Sequence, residues 1–357
     1  MLETIALTAV SFIGLLILLV FAHEFGHFIT AKLARVKVEE FGIGFPPRII
    51  SFKRGETTYS LNAIPLGGFT KMLGEEDPTL PGSLASKSIP IRFLVLSAGS
   101  LMNILLPILL FSISFMIPHD MVLEQVQVKE VASGSPAQIA GIEPGDTILK
   151  INDQTIRNRN DVGYFIQLNL GSEINILLQR GDLGQNQEVS LKPRWDPPEG
   201  QGATGITIIG VDSTIVRESY PIWKAVPSSI THCWEILVLF KNEVVGWFIR
   251  GTPPQLTGPI GIAELTGEMA KAGLSPLLEF AALISINLAI INLFPFPGLD
   301  GGRLIFVALE WVRRGKRISP KREGLVHLIG FIVLILLIIV ISYYDISNII
   351  HGESTLP

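Results

Sequence analysis

The chain has 357 residues, enough for two or three domains at about 100–200 residues each. Only 17 % of residues are charged, 48 % are hydrophobic and the mean hydropathy is +0.46; against about 25 % charge in soluble chains this argues against a water-soluble globule and for a membrane protein. The 28 basic and 32 acidic residues sum to −4, without the basic excess that nucleic-acid affinity requires, so no nucleic-acid partner is expected. A single cysteine, Cys233, leaves neither an internal disulfide nor a cysteine-built metal site.

Residues 4–22 carry no charge and as a helix nearly match a hydrocarbon core of ~30 Å. No basic stretch precedes them and no small-residue cleavage motif follows, so they are expected to stay as a first membrane span rather than to be removed as a signal peptide. Residues 93–117 predict a second span, kinked at Pro107 and closely packed through the small residues Ser97, Ala98, Gly99 and Ser100. Residues 280–299 predict a third, interrupted by Pro295 and Pro297, and residues 325–344 a fourth. Lys and Arg concentrate between the first two spans and between the last two, so those connections are expected on the cytoplasmic side, with both termini and residues 118–275 outside.

Between the second and third spans, ILKIN (148–152) and INILLQ (174–179) alternate as strands do, which predicts a soluble domain over 118–212. Residues 206–212 supply its last strand or a connector. Residues 219–250 mix Trp223, Trp234 and Trp247 with apolar and charged positions, a pattern that suits a membrane interface or a soluble helix packed on the neighbouring domain. The expected divisions are a first membrane helix over 1–35, a β and loop region over 36–90, a second helix over 91–117, the soluble domain, an outer or interfacial segment over 213–275, a third helix over 276–302, a basic loop over 303–324, a fourth helix over 325–345 and a tail over 346–357.

The first apolar run ends in His23-Glu24-Phe25-Gly26-His27, an H-E-x-x-H sequence whose histidines share one helical face and can reach one zinc ion. Glu24 is then the candidate base for the attacking water. An ordinary cluster at a membrane interface is the alternative, but apolar residues continue through Phe28, Ile29, Ala31 and Leu33, and ionisable groups at that depth default to function. A catalytic zinc wants a third protein ligand and an open position. Asp300 supplies the candidate: it follows a helix broken by Pro295 and Pro297, precedes Gly301 and Gly302, and falls at the same end of its span as the histidines do of theirs. His119, His232, His327 and His351 lack ligand spacing and are expected at surfaces or in helix packing, and Glu264 and Glu268 on a solvated face.

Taken together, HEFGHF (23–28), GIGF (42–45), AIPLGGFTKMLGE (63–75), AGSLMN (98–103), LTGPIGI (256–262) and NLFPFPGLDGG (292–302) resemble the site-2 protease family of intramembrane zinc metalloproteases, in its bacterial RseP-like branch. The resemblance covers nearly the whole chain. It implies a multi-pass α-helical membrane protein of about four transmembrane helices, with a membrane-associated, re-entrant β element in 36–90, in the bacterial cytoplasmic membrane with its active site near the cytoplasmic side. It implies that His23, His27 and Asp300 bind Zn2+, that Glu24 activates water and that Asn292 contacts the scissile backbone or oxyanion. Gly67, Gly68 and Asn103 are expected at the substrate, the glycines permitting close backbone approach of a strand added to the β element. The family's G-P-x-x-N pattern reads Gly99-Ser100-Leu101-Met102-Asn103 here, with serine in place of proline.

GSPAQIAGIEPGDTILKIN (134–152) looks like an extracytoplasmic PDZ domain, one where RseP-like enzymes have two, able to capture a peptide or C-terminus or to act as a size filter. The expected partners are the lipid bilayer and single-span membrane proteins cut in or near the membrane. A noncatalytic PDZ scaffold with a structural zinc is the alternative.

Overall fold

A computed structural model describes residues 2–75, 77–181, 184–252 and 257–351. In chain order they form α1 (Leu2–Leu33), β1 (Val38–Arg54), β2 (Thr57–Met72), α2 (Ile89–Met116), β3 (His119–Val131), α3 (Pro136–Ile139), β4 (Thr147–Ile151), β5 (Gln154–Thr155), α4 (Arg159–Leu168), β6 (Ile174–Arg180), β7 (Gln185–Leu191), β8 (Ile206–Glu218), α5 (Ile222–Arg250), α6 (Pro259–Ala272), α7 (Leu274–Leu293), α8 (Asp300–Val312) and α9 (Pro320–His351). Two units result, one from residues 1–114 with 255–357 and one from residues 115–254. Leu256 of the LTGPIGI motif and residues 352–357 of the expected tail lie outside the described residues.

In the first unit, α1, α2, α7 and α9 are the helices among the described residues that are long and apolar enough to cross a membrane. Gly26 lets α1 and α2 touch, since a Cβ there would collide with the Ala98 carbonyl. The third span ends earlier than the sequence predicts: α7 stops at Leu293, because residues before proline leave the helical region and Phe294 is extended at ψ 139°. Asp300 therefore opens a new helix instead of ending the old one. That helix, α8, also replaces the first half of the basic loop expected over 303–324. Leu304, Val307, Ala308 and Trp311 give it an apolar stripe at helical spacing that the basic residues around it mask. The last helix runs over 320–351, past both limits of the expected 325–345, because its polar ends carry on the same helical backbone.

The β1 and β2 strands fold back on themselves. Their distal halves pair antiparallel, from Arg48 opposite Asn62 to Arg54 opposite Thr57, around a turn at Gly55. Glu40–Ile43 then has neighbours on both sides: residues 71 to 68 run against it along one, and residues 58 to 61 run with it along the other. The Gly68–Met72 pass is thus an edge, and no described strand pairs with its far side. Val36, Val38 and Met72 join Ala31 of α1, Val95 and Leu96 of α2 and Leu304 and Val307 of α8 in one buried cluster that anchors this edge beside the helices.

The second unit is a six-stranded sheet in the order β7-β6-β4-β3-β8, with β5 paired to β4. Val126 and Val128, and Ile174, Ile176 and Leu178, turn alternate side chains into its core, with Val162 and Ile166 of α4 closing one face. Ser135 caps α3 by accepting from the Gln138 N–H, and Asn158 caps α4 by accepting from that of Asp161. Residues 206–212 are strand rather than connector, and β8 runs to Glu218, past the expected domain end at 212, because it pairs with β3 from Val131–Ile206 to His119–Glu218. Helix α5 packs on α4: the Tyr164 hydroxyl donates to Glu235 at 2.8 Å, and Asn242 donates to the terminal carbonyls of α4, Gln167 at 2.7 Å and Leu168 at 3.1 Å. His232, expected at a surface or in helix packing, lies 3.5 Å from Glu235 in the same junction.

Candidate metal and active site

Helix α1 presents His23 and His27 one turn apart, and the start of α8 brings Asp300 to them across 273 residues of sequence. The Oδ2 atom of Asp300 stands 3.1 Å from Nε2 of each histidine, and the two Nε2 atoms are 3.3 Å apart. Donors held about 2.0–2.1 Å from a tetrahedral zinc ion stand about 3.3 Å from one another, so this triangle fits zinc with a fourth position left open. The chemistry of the donors fits as well. Three lone-pair atoms at this separation repel one another unless a cation or a proton lies among them.

Each ligand is held from behind. His27 donates from Nδ1 to the Val95 carbonyl at 2.8 Å, which fixes the ring and leaves the Nε2 lone pair turned inward. Gly99 supplies the space: a Cβ there would come within 2.7 Å of His23 Cε1 and collide with His27. Asn103, one turn further along α2, is fully buried with its Nδ2 3.4 Å from His23 Nδ1 and its Oδ1 unpaired. Its side chain lies against His23. For Asp300, Gly301 and Gly302 let the start of α8 fold onto the carbonyls of Leu293, Phe294 and Phe296, where any side chain would collide. His327, expected at a surface or in helix packing, ties this segment to α9 by accepting from the Gly298 N–H at 3.0 Å.

Glu24 is not one of the three grouped ligands and lines a cavity of about 490 Å³ shared with His23, His27 and Asp300. Its Oε2 accepts from the Thr70 hydroxyl at 2.8 Å, and the same hydroxyl lies 3.0 Å from the Glu24 carbonyl. Thr70 is on the edge pass of β2, which lines the cavity from Gly68 to Met72. The two glycines there do separate things. Gly68 faces α1, where a Cβ would meet Val20 at 2.8 Å and Glu24 at 3.0 Å, whereas Gly67 bends the strand at φ +143° and packs on Phe45. Arg303 donates to Glu75 at 2.7 Å across the cavity lining. Asn292, half-buried in the last turn of α7, is not among the described residues that line the cavity.

Comparison with known proteins bears on the whole chain. The sequence profile described as peptidase family M50 matches residues 11–337. A relative from Clostridium acetobutylicum is 35 % identical over 334 residues, covering 93 % of this chain and 94 % of its own. Zinc metalloprotease RasP of Oceanobacillus iheyensis is 30 % identical, covering 96 % and 99 %, and zinc metalloprotease RasP of Geobacillus kaustophilus is 29 % identical, covering 98 % and 99 %. A solved PDZ domain of an SdrC-like protein from Listeria monocytogenes, 23 % identical, covers 24 % of this chain and 88 % of its own at a TM-score of 0.21, too low to bear on the fold. The chain belongs to peptidase family M50, the site-2 protease family that its motifs resemble.

Proposed function

We propose that the chain is an intramembrane zinc protease that hydrolyses a peptide bond in or near the membrane segment of a single-span protein. The observation that carries this reading is the triangle of His23, His27 and Asp300 at 3.1–3.3 Å, in one cavity with Glu24 and an open strand edge. Family membership and relatives named as zinc metalloproteases support the metal. His23, His27 and Asp300 hold the zinc, which when bound supplies a Lewis acid for the scissile carbonyl and for water. Glu24 takes the proton of the attacking water, with its carboxylate aimed by Thr70. Asn103 orients His23: a ligating imidazole donates from Nδ1, and the Asn103 amide with Oδ1 toward it accepts that proton and pairs the oxygen otherwise left alone.

A transmembrane helix shields each carbonyl by an internal hydrogen bond, so the substrate must be extended before it is cut. The free edge of Gly68–Met72 offers replacement backbone bonds directly beside Glu24, and Gly68 lets this edge lie close against α1. Ile49, Ile50 and Phe52 on the distal ribbon are more than 60 % exposed, which suits a re-entrant element dipping into lipid. The distribution of Lys and Arg supports a bacterial cytoplasmic membrane protein with its site toward the cytoplasm and residues 118–212 outside as a PDZ domain. That domain takes a peptide end or restricts large substrates. No step is assigned to Asn292.

The test is cleavage of a single-span reporter reconstituted with the enzyme in vesicles, with products located by mass spectrometry. A cut in or beside the span, lost in Glu24→Gln, is expected. A cut that persists in Glu24→Gln overturns the role given to Glu24, and no turnover of any single-span reporter by zinc-loaded protein favours the scaffold.

A further inference from the structure

Asp300 reaches the histidines from beyond a broken helix. Pro295, Pro297 and Gly298, the last at φ +99°, separate it from the end of α7, so it is not carried on the α7 helix itself. Its position is set by the packing of Gly301 and Gly302 on the Leu293, Phe294 and Phe296 carbonyls together with the docking of α8. Positions 300, 303, 307 and 310 fall on one face of that helix. Asp300 meets the histidines, Arg303 donates to Glu75, Val307 is buried with Val95 and Leu96, and Glu310 accepts from Arg92 at 2.6 Å.

Arg92 stands on the helix that also positions the histidines. It lies three residues before Val95, whose carbonyl fixes His27, and on the same helix as Gly99 and Asn103, which contact the imidazoles. The Arg92 and Glu310 side chains are 9 % and 8 % exposed. Arg317 pairs with the other oxygen of Glu310 at 3.0 Å and donates to the Ala85 carbonyl at 2.7 Å, so both carboxylate oxygens are used. A buried ion pair adds little net stability over well-packed apolar groups, and its best-attested use is fixing register. From Glu310 to Asp300 the helix is a rigid arm of about 15 Å, and a slip of one residue would shift the ligand by about 1.5 Å and turn it by about 100°.

We propose that Arg92, Glu310 and Arg317 form a clamp that positions the metal site, locking α8 against α2 so that Asp300 completes the ligand set. They are positioning residues and touch neither substrate nor metal. The inference rests on the reading of His23, His27 and Asp300 as zinc ligands.

The experiment titrates zinc off full-length detergent-purified protein with graded chelator, for wild type, Glu310→Gln, Arg92→Gln, their double variant and Arg92→Lys. Asp345→Asn is the comparator, because Asp345 is buried in the same unit and accepts from the N–H groups of Gly258 and Gly261, away from the site. Each single clamp variant should weaken zinc about tenfold or more, and the double no more than the worse single, because the pair acts as one. Asp345→Asn should keep wild-type affinity even where its metal-free melting temperature falls as far. Arg92→Lys keeps the charge and carries the test if the glutamine variants do not fold, with a smaller loss expected. Unchanged zinc affinity in the folded clamp variants overturns the proposal, as does an equal loss in Asp345→Asn. Zinc that survives His23→Ala refutes the ligand reading itself, a separate result.

Discussion

Replacing Thr70 with valine removes one hydroxyl and keeps the branched shape of the side chain. That hydroxyl has a single proton and two acceptors on the same residue, the Glu24 carboxylate at 2.8 Å and the Glu24 carbonyl at 3.0 Å. A hydrogen bond to a charged group contributes about 1.5–3 kcal/mol, and at about 1.4 kcal/mol per factor of ten its loss from the proton-transferring geometry lowers turnover about 10- to 150-fold. The loss should stay within that of Glu24→Gln, which removes the base and costs about 10²–10⁴-fold. Initial rates on the vesicle reporter, normalised to bound zinc, give the number. Thr70→Ser keeps the hydroxyl and should stay near wild type. Wild-type turnover by Thr70→Val, or equal impairment by Thr70→Ser, would refute the role of this bond, and loss of zinc from Thr70→Val would move the effect to the metal.

Further outcomes follow from contacts elsewhere. Gly99→Ala places a methyl within 2.8 Å of His23 Nε2; it should lose zinc and destabilise the fold by about 1–3 kcal/mol, read by metal content and thermal melting. Gly68→Val crowds Val20 and Glu24, so turnover should fall about tenfold or more at unchanged zinc content, since Glu24 is outside the ligand triangle. In the second unit, burial raises the Asp146 carboxyl, but bonds from Arg180 at 2.7 Å and from the Glu143 N–H outweigh it and hold the group below its ordinary range. Because the folded value is depressed, the stabilisation is present above about pH 4 and lost as pH falls through the folded value. Near-UV circular dichroism across acid pH should show Arg180→Gln with less of this loss than wild type.

The parts of this molecule that were legible in sequence are those written in local spacing. Uncharged runs set by membrane thickness mark the four described helices long and apolar enough to cross a membrane, and the four-residue interval between His23 and His27 puts both rings on one face. Asp300 was accessible only by combining a broken helix with a matching span direction. What escaped depends on contacts with no local signature. Thr70 sits 46 residues from Glu24 on a strand, and Val95 acts through a carbonyl that any residue carries. The edge position of Gly68–Met72 arises because one strand segment pairs on both sides, which alternation does not reveal. Helix α8 did have a signal in Leu304, Val307, Ala308 and Trp311, hidden by counting Arg303, Arg313 and Arg314 as loop charge.

The account turns on one metal held between two helices, and zinc per chain in detergent-purified wild type, His23→Ala, Asp300→Ala and Glu24→Gln tests it most directly. One zinc in wild type and in Glu24→Gln, and none in the other two, is the predicted result. Zinc retained in His23→Ala or in Asp300→Ala, or lost from Glu24→Gln alone, would contradict it.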